Sequence, residues 1–194
     1  GDKRAALQTY QEALACWKRL RAMHPGVFEH TYFLAKTYRN LALIQLQFGE
    51  VRQAEHGLVN AMTLQTELSK QQPARLGWKG DLVVTLCHLG ALQQKGRRNQ
   101  EAFASFSQAL AVATELLGQQ PQHADWEALA ARCHYHVGSL SYRAGQWEQA
   151  RESLSSALRL QEDLVERAVL SLVKGDLAAT HRIVGQLEMS RRQP

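Results

Sequence analysis

Proline and cysteine are scarce in this 194-residue chain, with four of the first and three of the second. Cys16, Cys87 and Cys133 are too few and too scattered for a disulfide scaffold, so a reducing, cytoplasmic compartment is expected. No apolar run approaches the roughly 18 residues of a membrane span, and the first residues hold no apolar signal-peptide core. Clusters of β-branched residues are rare, which leaves little room for a sheet. There is no glycine-rich phosphate loop and no nucleophile elbow, so neither nucleotide hydrolysis nor serine-hydrolase chemistry has a foothold. Neither sign of charge dominates: the net charge is +5. That mild excess permits an acidic partner without demanding nucleic acid. With 45% hydrophobic and 21% charged residues, the chain is too apolar to be disordered.

What the chain does have is an internal repeat. Pro25, Pro73 and Pro121 stand 48 residues apart. The same interval joins Ala6, Ala54, Ala102 and Ala150, then Ala13, Ala61, Ala109 and Ala157. It joins Ala42, Gly90 and Gly138, and again Trp78 and Trp126. A fixed period of this length is the mark of a helical-repeat architecture.

Each period reads as two amphipathic helices. In the middle one, Leu82, Leu86, Leu89, Gly90 and Leu92 recur at three- and four-residue steps and form one buried stripe. Gly96 is expected to break that helix, with Asn99 capping the next. A second stripe runs through Ala102, Phe103, Phe106, Ala109, Leu110, Ala113, Leu116 and Leu117 until Gly118 and Pro121 end it. Gly49 and Gly145 mark the turn in the flanking periods, and Gly96 sits one residue early relative to them. The periodic Ala and Gly residues let the paired helices approach closely. The expectation is an all-α fold, a right-handed α-solenoid of antiparallel helix hairpins with about eight helices. It divides into a half-unit over 2–24, full repeats over 25–72, 73–120 and 121–168, and a terminal half-unit over 172–190. Opening and closing on half-units suggests a segment of a longer protein, because solenoids need polar caps.

Gly90, Ala102 and Ala109, with Leu86, Leu89 and Phe106 between them, resemble the tetratricopeptide (TPR) pattern, and Gly138, Gly145, Trp147, Ala150, Leu154 and Ala157 match it more closely. The usual unit is about 34 residues, so a 48-residue period is similar to the longer-repeat arrays of bacterial multidomain signalling proteins, such as kinases and NACHT-type or CHAT-type proteins. The aromatic usual near the end of the first helix is replaced by Gln45, Gln93 and Ser141. The resemblance implies a non-catalytic protein-interaction scaffold, with no cofactor and no metal, whose first helices line a concave groove.

On that pattern, Lys36, Arg39, Asn40, Leu43 and Leu46 line the groove in the first unit, His88 and Lys95 in the second, and Arg132, Tyr135, His136, Tyr142 and Arg143 in the third. Arg182 follows from the terminal helix. Groove positions carry Lys or Arg but no Asp or Glu. Of the 18 acids, 12 lie on second helices and five near first-helix starts (Glu29, Asp81, Asp125, Glu127, Asp176), where the helix dipole favours them. A groove emptied of acids focuses positive potential on a bound chain. The expected partner is a protein or peptide, acidic in character. The alternative is a regulatory or oligomerisation region that touches its parent protein's own domains or a second copy. Nucleic acid is disfavoured, because the basic positions change from unit to unit. Cys133-His134-Tyr135-His136 and Cys87-His88 are adjacent on helices, where neighbours point about 100° apart and cannot close on one ion.

Overall fold

A computed structural model of the chain describes residues 3–167 and 173–191. It contains α1 (Lys3–Met23), α2 (Phe28–Gln47), α3 (Val51–Gln71), α4 (Leu76–Lys95), α5 (Asn99–Gln119), α6 (Ala124–Arg143), α7 (Trp147–Glu166) and α8 (Val173–Arg191), with no strand among the described residues. The fold is all-α, of the helical-repeat class expected. Helices α2, α4 and α6 begin at residues 28, 76 and 124, and α3, α5 and α7 begin at 51, 99 and 147. The backbone therefore keeps the 48-residue offset of the alanines and prolines. The chain divides within α4 into two compact units, residues 1–92 and 93–194.

In the first unit α2 lies between α1 and α3. Leu34, Ala35 and Leu64 form one buried cluster with Leu14, Trp17 and Tyr38 packed on it. Ala42, Ala54, Leu58, Leu89 and Leu92 form another, flanked by Leu46 and Met62. The α2–α3 crossing depends on small side chains, since a Cβ at Gly57 would come within 3.2 Å of both the Ala42 Cβ and the Tyr38 carbonyl oxygen. Two aromatic stacks complete the unit. Trp17 lies on Phe33 with ring centroids 5.1 Å apart, and Tyr32 lies on Trp78, also at 5.1 Å.

The second unit repeats the device. Ala102, Ala109, Ala150 and Ala157 are wholly buried, as are Phe106, Leu116, Leu154 and Leu164. A Cβ on Gly138 would meet the Leu154 Cγ at 2.7 Å and its backbone nitrogen at 3.1 Å. Gln93 and Ser141, near the ends of α4 and α6, find partners across the hairpin. Ser105 donates to Gln93 Oε1 at 2.7 Å, and Ser141 donates to Gln149 Oε1 at 3.1 Å. The first pair is buried and the second part-buried, and a satisfied hydrogen bond offsets the loss of hydration.

Helix α4 ends at Lys95, directly before Gly96, and the residue with positive φ in the turn that follows is Arg97, at +60°. Gly49 and Gly145 occupy the same left-handed position, with φ of +77° and +75°, so the 48-residue register has no defect at this turn. One local expectation is corrected: Asn99 is the first helical residue of α5, and Arg98 precedes it as the cap, without a side-chain cap bond.

The two kinds of glycine predict opposite outcomes for one substitution. Gly138→Ala drives a methyl into Leu154 and should lower stability to urea by about 1 kcal/mol, overpacking outweighing helix propensity. Gly185 in α8 has open space around its Cβ direction, so Gly185→Ala should raise stability by about 0.5–1 kcal/mol. Shifts of the same sign in both variants would contradict this packing.

Candidate functional site

The thirteen residues predicted to line a groove divide between the two units. On the first unit, Lys36 is half-buried, with its ammonium 5.3 Å from the Tyr32 ring centroid. Asn40 is half-buried and donates to the Tyr10 hydroxyl at 3.5 Å. Leu43, Leu46 and His88 are half-buried.

Arg39 is the departure. Expected as an open cation, it is only 9% exposed, and its Nη1 donates to Asp81 Oδ1 at 2.7 Å and to the Asp81 carbonyl oxygen at 3.3 Å. The Tyr32 hydroxyl donates to Asp81 Oδ2 at 2.8 Å. Burial, then the hydrogen bond to Asp81 and its negative charge, push the Tyr32 hydroxyl up to about 12, while Arg39 opposes the rise. Asp81 was read as a dipole partner near a helix start. It sits beyond the first turn of α4 and instead neutralises Arg39. A charged pair with one acceptor shared by two donors fixes α2 against α4, and breaking it would strand a poorly solvated charge. Glu29 likewise pairs with Arg75 at 3.4 Å, and in the second unit Glu127 accepts from Arg167. Sequence reasoning missed the Tyr32–Asp81–Arg39 set. Its one visible signal was an aspartate too deep in the helix for a dipole role.

On the second unit, Arg132, Arg143 and Arg182, together with Lys95 at the end of α4, are exposed and form no ion pair among the described residues. Tyr135 and Tyr142 are half-buried. Tyr135 meets His136 edge-on at 5.2 Å, and Tyr142 meets Trp147 edge-on at 5.5 Å. Trp147 is 46% exposed, which sets it apart from the buried Trp78. His136 is not open to a ligand by its ring face. It stacks on the buried Phe106 with centroids 4.2 Å apart and planes 6° from parallel. Burial, and secondarily Arg132, lower its imidazole to about 4. His134 is lowered too, by burial and then Arg159, with Glu152 opposing. The described residues contain no group of three His, Cys, Asp or Glu side chains that could hold a metal ion. Among the described residues, no helix is long and apolar enough to cross a membrane.

The first unit also holds a cavity of about 540 Å³ lined by residues including Lys18, Arg21, Thr31, Tyr38, Asn60 and Glu67. It uses the Phe28–Thr31–Leu34–Tyr38 face of α2, which at about 100° per residue is turned well away from Lys36, Asn40 and Leu43. Arg21 and Glu67, both lining residues, are paired at 3.4 Å.

No protein-family model matches the sequence, and no curated protein matches it. Among solved structures, BtubC (BKLC) from P. vanneervenii is similar over 97% of this chain and 86% of its own, with 16% identity and a TM-score of 0.55. The thermophilic TPR protein TTC0263 of Thermus thermophilus is similar over 95% of this chain and 79% of its own, with 23% identity and a TM-score of 0.45. The de novo designed helical repeat protein DHR64 is similar over 97% of this chain and 96% of its own, with 12% identity and a TM-score of 0.39. The likeness to BtubC is one of fold.

The buried imidazole gives a pH signature. The unfolded chain protonates position 136 near the ordinary histidine value of about 6.5, whereas the folded chain resists until about 4. The unfolded state thus binds more protons in that window, and stability falls as pH drops through it. Between pH 7 and pH 5, His136 should account for a loss of about 2 kcal/mol. Urea titrations of the parent and His136→Gln measure it. An equal pH dependence in the two proteins would show that His136 is not buried neutral.

Proposed function

We propose that this chain is a TPR-type module of 48-residue period that acts as a non-catalytic protein-interaction scaffold and captures an acidic peptide on the exposed faces of its first helices. The observation that carries the reading is the contrast between its arginines. Arg39 is consumed by Asp81, while Arg132 and Arg143 on α6 and Arg182 on α8 stand in solvent without a carboxylate partner among the described residues. An exposed arginine held on a helix offers paired N–H donors to a carboxylate at little reorganisation cost. Tyr135 and Tyr142 on α6 add apolar area, as aromatic residues do at interfaces. Acids cluster instead on the second helices, such as Glu148, Glu152, Glu162 and Asp163 on α7, so an acidic chain is repelled there and drawn to α6 and α8. On the first unit, Lys36, Asn40, Leu43 and Leu46 supply a weaker version of the same surface, with a single charge.

The test uses a fluorescein-labelled Asp/Glu-rich peptide and its Asn/Gln counterpart in anisotropy titrations. The acidic peptide should bind, and the neutral one should bind at least tenfold more weakly. Arg132→Glu with Arg182→Glu should weaken the acidic peptide about tenfold while circular dichroism stays unchanged, and raising salt should weaken it further. Equal affinities for the two peptides, or indifference to the double variant, would remove the proposal.

A further inference from the structure

The three hairpin turns share a backbone and differ in chemistry. Residues 49, 97 and 145 all adopt positive φ, a conformation that costs an L side chain and suits glycine. Two of them are glycine. The third is Arg97, although the chain places a glycine immediately before it. The turn around Arg97 reads Lys95-Gly96-Arg97-Arg98, whereas the corresponding segments read Gln47-Phe48-Gly49-Glu50 and Arg143-Ala144-Gly145-Gln146. Lys95, Gly96 and Arg97 are exposed, and neither Lys95 nor Arg97 forms an ion pair among the described residues. Arg98 is half-buried and donates to Glu101 at 3.3 Å. A strained backbone thus holds a cation at the tip of the turn, and a strained position that persists points towards a use.

We infer that the Lys95–Arg98 turn is a docking point for an acidic peptide segment of a partner protein, distinct from the α6–α8 surface. Arg97 at the tip and Lys95 behind it reach past the helix ends and offer charge-assisted hydrogen bonds to consecutive carboxylates. Two exposed cations two residues apart match a short acidic stretch. A nucleic acid needs basic residues along the whole path of its backbone. The other two turn segments carry Arg143 alone between them, and Glu148 and Glu152 follow it on α7. The inference does not rest on the α6–α8 reading, because Lys95 ends α4 and Arg97 lies in the turn after it, whereas Arg132 and Arg143 are on α6 and Arg182 is on α8.

The experiment uses the full chain and fluorescein-labelled hexaglutamate. In a background of Arg132→Glu with Arg182→Glu, hexaglutamate should still bind. Adding Arg97→Gly should weaken it at least threefold while the melting temperature stays level or rises, since glycine relieves the positive φ. Adding Lys95→Gln with Arg97→Gln should weaken it about tenfold. Loss of all binding in the starting background, or Arg97→Gly binding as tightly as its parent, would overturn the proposal. So would hexauridylate binding the same chain more tightly than hexaglutamate with the same dependence on Arg97. If Arg132→Glu and Arg182→Glu have no effect on their own, the α6–α8 reading fails while the turn is still tested by Arg97→Gly.

Discussion

Close approach of paired helices through small side chains is the constraint on which the rest of this structure depends. Ala54, Ala102 and Ala150 are wholly buried at a 48-residue spacing, as are Ala61, Ala109 and Ala157. A Cβ on Gly138 would clash with Leu154, and one on Gly57 would press on Ala42 and Tyr38. Once those faces are committed to packing, a helix of about 20 residues has only one broad face left for solvent. The surface chemistry of the molecule is therefore decided by which residues fall outside the small-residue seam.

Electrostatics then sorts the cations into two kinds. In the first unit polar anchors stand beside the apolar clusters: Asp81 takes Arg39 and Tyr32, and Glu29 takes Arg75 from the loop before α4. These charges hold helices together and are spent. The second unit also has polar anchors, Glu127 with Arg167 and Ser141 with Gln149, beside close contacts such as Phe106 under His136 and Leu154 against Gly138. Arg132, Arg143 and Arg182 are left exposed. The functional reading follows from that difference more than from total charge, which is only +5.

Much of this was legible in the residues. The spacing of alanines and prolines predicts an all-α repeat of about eight helices, because packing volume and helix termination are local properties of Ala, Gly and Pro. The burial of Ala102 and Phe106 follows from the 3.6-residue stripe alone. What the sequence concealed depended on a partner in another helix. Arg39 reads as a surface cation until Asp81, 42 residues on, is brought beside it. His136 reads as a groove histidine until Phe106 covers its ring. The positive φ of Arg97 was hidden differently: the 48-residue register aligns position 97 with Gly49 and Gly145, but an arginine gives no local sign of that conformation. Hydrogen bonds such as Ser105–Gln93 were invisible because either residue alone is at home on a surface.

The most direct test of the seam compares two alanines on one helix. Ala102 is wholly buried and Ala104, two residues away, is exposed. Alanine and leucine have similar helix propensities, so any difference reports packing. Urea denaturation of Ala102→Leu should show a loss of about 1–3 kcal/mol, and that of Ala104→Leu a change within about 0.5 kcal/mol. Equal stabilities for the two variants would mean that the helices are not held together at their small residues, and the account built on that seam would fail.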